Sequence, residues 1–149
     1  MDDADRAAVA TLLGREPRSD VDVVVRAADG TPIVIRNPPI LDDGTPMATR
    51  YWLVGERERR LVALLESEGG VREANAAVDA TELAAAHERY RVERDDAVPP
   101  GVSGPRPSGG VGGTRTGVKC LHAHYAWFLA GGDDPVGRWV HDRIAADGA

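Results

Sequence analysis

The feature that most restricts the fold is a stretch of proline and glycine late in the chain. Residues 97–117 contain four prolines and seven glycines. Proline interrupts helices and sheet ladders, and glycine is entropically unfavourable in both, so no regular element is expected there. The stretch therefore predicts a long loop, which in a small domain is typically either functional or mobile. Too little chain follows it to build a second core, so we expect one domain over residues 1–149.

The chain on either side of this loop predicts an α+β fold. Residues 1–55 are expected to form a helix, an antiparallel hairpin that turns at Asp29-Gly30, and a third strand. Residues 56–95 show the apolar spacing of helices, and residues 118–149 predict two more, the second capped by Asp134. We expect a small sheet of about three antiparallel strands, packed by about five helices, with the Pro/Gly-rich loop over residues 96–117.

Composition argues against several classes of function. The net charge is −6, which disfavours broad binding to nucleic acid or to an anionic membrane surface. The single cysteine excludes an internal disulfide and fits a reducing compartment. The first residues, MDDADRAAVA, lack the order of a signal peptide, and no apolar run approaches the ~20 residues of a membrane span. We therefore expect a cytoplasmic protein with no nucleic-acid or membrane partner, and a protein partner is left open.

The second half of the loop has the character of an anion-binding site. Its glycines let backbone amides turn toward a ligand, and a helix predicted to begin at Val118 would add a favourable dipole. Arg115 and the only lysine, Lys119, add positive charge. The spacing differs from the Walker A motif because Val118 separates Gly117 from Lys119. The alternative is a tight structural loop. The predicted ligand-binding residues are Gly112, Gly113, Thr114, Arg115, Thr116, Gly117 and Lys119.

The run that follows, Cys120-Leu121-His122-Ala123-His124, carries candidate chemistry. On a helix that begins at Val118, Cys120 and His124 share a face and His122 points elsewhere. Cys120 is then a candidate nucleophile beside Lys119, with His124 as its base. On a strand, Cys120, His122 and His124 would face one way and could bind zinc. A buried structural cysteine and a core histidine are the alternatives. No cofactor is identified by the sequence.

His87 has a different sequence context. Leu83, His87 and Tyr90 follow the spacing of one apolar helix face, which predicts a buried histidine whose ring nitrogens are hydrogen-bonded within the core.

Gly110–Gly137, which reads GVGGTRTGVKCLHAHYAWFLAGGDDPVG, resembles the signature of a bacterial family called domain of unknown function 501. The run Val118–His124 is the most specific part, and Leu13-Gly14-Arg15 and Tyr51-Trp52-Leu53 are also similar. Many members of that family carry Cys-Pro after the strand equivalent to Tyr51–Leu53, where this chain has Val54-Gly55. That departure weakens any site that would need a second cysteine beside Cys120.

The resemblance implies a cytoplasmic housekeeping context, because members often lie near genes for a cell-division initiator and an exopolyphosphatase. It implies no activity. We therefore carry three hypotheses: binding of a small phosphate- or carboxylate-bearing ligand, with or without catalysis; a non-catalytic adaptor in a cell-division or housekeeping context; and zinc binding through cysteine and histidine.

Overall fold

The computed structural model describes residues 1–147. Within them, a three-stranded antiparallel sheet and six α-helices confirm the predicted α+β fold. In chain order the elements are α1 (Asp3–Leu13), β1 (Asp22–Arg26), β2 (Pro32–Arg36), β3 (Tyr51–Leu53), α2 (Glu56–Ser67), α3 (Gly70–Ala77), α4 (Ala80–Asp96), a 3₁₀ turn (Val111–Gly113), α5 (Leu121–Leu129) and α6 (Pro135–Asp147).

The sheet is a simple meander in the order β1-β2-β3, with both pairs antiparallel. The hairpin between β1 and β2 closes where the Ala27 amide donates to the Thr31 carbonyl at 2.8 Å. The Asp29 carboxylate accepts from the Thr31 amide at 3.0 Å, and Gly30 has φ of 90°. Glycine takes this left-handed conformation without steric penalty, so the Asp-Gly pair fixes the turn as predicted.

The sheet separates two apolar clusters. On one side Val9 of α1 packs with Val21, Ile35 and Val54, all of them buried. On the other side a larger cluster joins the sheet to the five remaining helices and is centred on Tyr90, Trp127, Leu121, Val136 and Val140. The Tyr90 and Trp127 rings meet edge-on with centroids 5.1 Å apart. This second cluster holds α5 against β3, which places the start of α5 beside the sheet.

Capping residues explain why there is one helix more than the five expected. Asp79 accepts from the Glu82 amide at 3.0 Å and begins α4, which divides the predicted helical stretch into α3 and α4. Asp134 accepts from the Val136 amide at 2.9 Å and begins α6, as the sequence predicts. A side-chain oxygen at this position satisfies an amide that has no acceptor within its helix.

The long loop runs from Ala97 to Cys120, three residues further than predicted, because α5 begins at Leu121 and not at Val118. Arg94, which is fully buried, ties this loop to the rest of the fold. Its Nη1 donates to the Ala48 carbonyl at 3.1 Å and to the Ser108 carbonyl at 3.4 Å. The guanidinium therefore joins the loop to the segment that leads into β3.

Across residues 1–147, none of the helices combines the length and the apolarity that crossing a bilayer demands.

We predict that Tyr90→Phe destabilises the fold by about 1–3 kcal/mol. The buried Tyr90 hydroxyl accepts from the Arg50 amide at 2.5 Å and the Tyr51 amide at 3.3 Å, so the substitution leaves both amides without this acceptor. Urea denaturation would measure the change. The matched control is Tyr125→Phe, because no hydrogen bond of the Tyr125 hydroxyl is found within residues 1–147, and a change within about 0.5 kcal/mol is expected. Equal effects of the two substitutions would contradict this role for Tyr90.

Candidate functional site

Three side chains that can bind a metal meet where the loop passes into α5. They are Glu66 near the end of α2, Cys120 directly before α5, and His122 in the first turn of α5. One ligand atom from each residue lies within 4.8 Å of the other two. All three residues are partly exposed: the Glu66 and His122 side chains are 27% and 29% exposed, and Cys120 reaches solvent although part of its side chain is buried. The cluster is therefore open to an ion or a small molecule from solvent.

Glu66 is the member of this cluster that the sequence did not predict. Its Oε2 accepts from the Leu121 amide at 2.8 Å, and its Oε1 lies 3.2 Å from Nδ1 of His122. The first amides of a helix have no acceptor within the helix, and a negative charge near them is favourable. Glu66 thus occupies the N-terminus of α5, where an external anion was expected. The sequence feature that could have indicated Glu66 is its position in the last turn of α2, because an acidic side chain there interacts unfavourably with the dipole of its own helix.

Cys120 has an extended backbone, with φ of −141° and ψ of 117°, and precedes the helix. The prediction that Cys120 and His124 share a helix face is therefore wrong, because it assumed that the helix includes both residues. With that predicted helix, His122 was expected to point away from Cys120, whereas the structure brings these two side chains together. His124 lies outside the cluster.

The environment of Cys120 favours the thiolate. Burial by itself would raise the pKa of Cys120, and so would the charge of Glu66, but the neighbouring His122 side chain and the Ala123 amide outweigh both effects, so the pKa lies below its ordinary value. The Ala123 amide contributes without forming a full capping hydrogen bond to the sulfur. The thiolate is the form of cysteine that attacks an electrophile or binds a metal.

His122 shows the complementary shift. The hydrogen bond with Cys120 raises the pKa of His122, and the negative charge of Glu66 adds to the rise, against the opposing effect of burial. The two pKa shifts have opposite directions, and together they bring a thiolate and a cationic imidazole closer in pH range than in the isolated side chains. A metal ion would displace the proton from His122, because only the neutral imidazole coordinates.

A pocket of about 270 Å³ opens beside the cluster. Cys120 and His122 form part of its wall, and Gly112 from the loop borders it. Thr49, Tyr51, Trp52, Leu53 and Ala123 complete the lining. The pocket is thus formed by β3, the loop and the start of α5, with Cys120 and His122 among its lining residues.

His87 holds the glycine-rich loop in place. Its Nδ1 accepts from the Val111 amide at 3.1 Å, and its Nε2 lies 2.9 Å from the Gly117 carbonyl. An amide can only donate and a carbonyl can only accept, so the ring is neutral with its proton on Nε2. A Cβ on Gly110 would come within 2.5 Å of the His87 ring, so this close approach requires glycine. The prediction of a buried, hydrogen-bonded His87 is confirmed.

Asn75 of α3 holds the end of the same loop. Its Oδ1 accepts from the Val118 amide at 3.0 Å, and its Nδ2 donates to the Val118 carbonyl at 3.1 Å. Both polar groups of this backbone unit are thereby taken, which keeps Val118 out of the helix. Asn75 was not predicted, since nothing in its local sequence marks it.

The predicted anion-binding residues are divided between two surfaces. The Gly113 and Thr114 amides donate to carbonyls of Gly110 and Val111, so they form a structural turn. Gly112 borders the Cys120 pocket, whereas Arg115, Thr116 and Gly117 border a separate hollow beside α4. Lys119 is exposed. Within residues 1–147 the amides of 115–117 have no acceptor, and their binding of an anion stays a prediction.

His124, predicted as a base for Cys120, lies in the core. It is 1% exposed, and its Nδ1 is 2.6 Å from Oδ2 of the fully buried Asp134. Oδ1 of the same carboxylate caps α6, so this pair joins the first turn of α5 to the beginning of α6. The His124 ring also meets the His87 ring edge-on, with centroids 5.7 Å apart. These contacts assign His124 to packing beneath the loop.

We predict that His87 makes the fold less stable in acid. Burial lowers the pKa of His87 in the folded protein, while the unfolded chain has a pKa of about 6.5. The contribution of His87 is thus fully present above about pH 6.5 and is lost as pH falls toward the folded-state pKa. In His87→Asn, the free energy of unfolding should fall less between about pH 8 and about pH 5.5 than in the wild type.

Urea denaturation at the two pH values measures this difference. His122 titrates in both proteins, so its opposite contribution cancels in the comparison. His141→Gln, on the exposed surface of α6, is the control for replacing a histidine that does not contact the loop. An unchanged fall in His87→Asn would contradict the role of His87 as a neutral loop contact.

Comparison with known proteins shows the family. No curated protein and no solved structure matches the chain significantly. The family model described as "Protein of unknown function (DUF501)" matches residues 23–142, which include all but the first residue of β1, all of β2, β3 and α2–α5, the glycine-rich loop and the Glu66–Cys120–His122 cluster. The match covers most of the chain, and the protein therefore belongs to the DUF501 family.

Proposed function

We propose that this protein binds one zinc ion through Glu66, Cys120 and His122. The bound ion would keep a coordination position open to the neighbouring pocket, where it takes the phosphate or carboxylate group of a small ligand. The observation that supports the proposal is the convergence of three different ligand atoms within 4.8 Å at the edge of a pocket. Glu66 and Leu121 are 55 residues apart in sequence, so the cluster is a product of tertiary folding.

The chemistry of the three side chains favours zinc among common metal ions. Zinc binds thiolate, imidazole and carboxylate ligands, whereas calcium and magnesium require oxygen ligands almost exclusively. Thiolate and carboxylate charges together also neutralise a divalent ion. Copper(II) and nickel(II) accept similar ligands, so the metal is tested by competition.

Three protein ligands are typical of catalytic zinc sites, in which water or substrate occupies the fourth position. Zinc held by these residues would lower the pKa of a bound water to about 7 and would supply hydroxide at neutral pH. Among the residues that line the pocket, Thr49 would then offer a hydroxyl to the ligand and Leu53 an apolar contact. A hydrolytic reaction on a small anionic substrate is the activity class that fits this arrangement.

We predict that the wild-type protein binds one equivalent of zinc in isothermal titration calorimetry. Loss of a group that merely positions a ligand typically weakens metal binding about 10–100-fold, so loss of a ligand should weaken it by at least about 100-fold. Cys120→Ser, His122→Gln and Glu66→Gln should each show this loss. The matched controls are Glu68→Gln and His141→Gln, which change exposed residues of the same types and should bind like the wild type.

Two outcomes would contradict the zinc proposal. One is a wild-type protein that gains no zinc at micromolar concentrations. The other is one-equivalent binding that survives all three ligand substitutions. Circular dichroism of each variant separates loss of binding from loss of fold.

The same residues support a second candidate function, a thiol nucleophile. The lowered pKa of Cys120 and the raised pKa of His122 are the directions expected of a thiolate–imidazolium pair, with Glu66 orienting the imidazole. In this candidate function Cys120 attacks an electrophilic ligand. His122 acts as its base, the role that the sequence predicted for His124.

We predict that iodoacetamide alkylates Cys120 of the metal-free protein faster at about pH 7 than it alkylates a free cysteine peptide of ordinary pKa, about 8.5. His122→Gln should slow the reaction toward the peptide rate, and added zinc should protect the thiol. A wild-type rate no faster than that of the peptide would remove the nucleophile candidate and leave the zinc proposal intact.

A further inference from the structure

A second hollow lies on the far side of the glycine-rich loop from Cys120. It has a volume of about 260 Å³ and shares no lining residue with the Cys120 pocket. Residues Arg115, Thr116 and Gly117 form its loop side, and Asn75 and Val78 lie across it. The remaining wall is α4, through Ala80, Leu83, Ala84 and His87.

The loop side of this hollow offers groups that bind anions. The amides of Arg115, Thr116 and Gly117 find no acceptor in the part of the chain that the structure describes. The exposed Arg115 guanidinium has no acidic partner there either. Successive amides in a turn form an anion-binding concavity, and arginine pairs with phosphate or carboxylate through parallel hydrogen bonds.

Arg115 differs from Arg91, the other arginine of this region, in whether acidic side chains pair with it. A wider groove of about 490 Å³ continues from the hollow past Arg115 and is bordered by Arg91 and Glu88. Arg91 is already paired with Glu88 and with Asp95, at 3.2 Å from the latter. Arg115 is therefore the cation available to a ligand, while Glu88 limits how far an anion can extend into the wider groove.

The hollow is held in shape from both ends. His87 accepts from the Val111 amide and lies 2.9 Å from the Gly117 carbonyl, and Asn75 takes both polar groups of Val118. These contacts fix the backbone on either side of residues 115–117 before any ligand arrives. A preorganised site loses less conformational entropy on binding, so few contacts suffice for measurable affinity.

The wall that faces the loop is apolar, so we expect the part of the ligand beyond its anionic group to be apolar too. Val78, Leu83 and Ala84 present carbon surface facing the polar loop. We propose that this hollow binds a small organic anion, with its phosphate or carboxylate group on Arg115 and the 115–117 amides and its apolar body against α4. The site is separate from the zinc centre and does not depend on it.

Isothermal titration calorimetry with phenyl phosphate and with benzoate tests this site, in excess chelator so that the Glu66–Cys120–His122 cluster is free of metal. At least one probe should bind, and inorganic phosphate should bind more weakly because it lacks the apolar body. Arg115→Gln should weaken binding about 10–100-fold through loss of a charge-assisted hydrogen bond. Arg106→Gln, on the exposed first part of the loop, is its matched control and should have no effect.

A second pair of variants tests the position of the ligand. Ala84 and Ala85 are adjacent, exposed residues of α4, but only Ala84 borders the hollow. Ala84→Glu places a negative charge in the site and should abolish binding, whereas Ala85→Glu should leave it unchanged.

Failure of both probes to bind would overturn the proposal. Binding that persists in Arg115→Gln and in Ala84→Glu would overturn it as well. Inorganic phosphate that binds as tightly as phenyl phosphate would contradict the apolar half of the site. None of these results bears on zinc binding, since metal is excluded throughout.

Discussion

The carboxylate of Glu66 is the contact on which the candidate zinc centre depends. One oxygen accepts from the Leu121 amide and defines where α5 begins, and the other lies 3.2 Å from His122. Because the helix begins at Leu121, Cys120 stays extended and its sulfur turns toward His122. A single side chain from α2 thus sets the start of a helix and assembles three ligand atoms. The negative charge at the N-terminus of α5 is thus a side chain of the protein itself. An added ligand would therefore reach the metal centre from the pocket.

The long loop raises a related problem, since its backbone polar groups have no helix or sheet to pair with. Side chains from the preceding helices meet that need: Arg94 bonds the Ser108 carbonyl, His87 holds Val111 and Gly117, and Asn75 holds Val118. Each contact is specific to one backbone group, so the loop has a defined shape without regular structure. The same loop then borders two pockets of different character. One is lined by Cys120 and His122, and the other by Arg115 and a loop segment whose amides have no acceptor within residues 1–147.

Local patterns predicted the parts of the fold that local interactions determine. Asp29-Gly30 predicted the hairpin turn and Asp134-Pro135 the beginning of α6, because a turn or a cap is specified within a few residues. The start of α5 could not be predicted in this way. Val118 is compatible with a helix, but in the folded chain it is bonded to Asn75, which lies 43 residues earlier, while Glu66 takes the amide of Leu121, where the helix begins. Because the predicted helix began three residues too early, the sequence paired Cys120 with His124, whereas the structure places Cys120 beside His122. The same error hid the contact between Glu66 and the start of α5. Residue types predicted where the site lies, while tertiary contacts decide which residues form it.

X-ray absorption at the zinc edge, on the one-equivalent complex, identifies the atoms that bind the ion. We predict one sulfur at about 2.3 Å and nitrogen or oxygen ligands at about 2.0–2.2 Å, at least one of them exchangeable. The sulfur signal should disappear in Cys120→Ser. A wild-type spectrum without sulfur would contradict the account, because the ion would then lie away from Cys120. A spectrum with two sulfurs would contradict it too, since each chain has one cysteine and the ion would join two molecules.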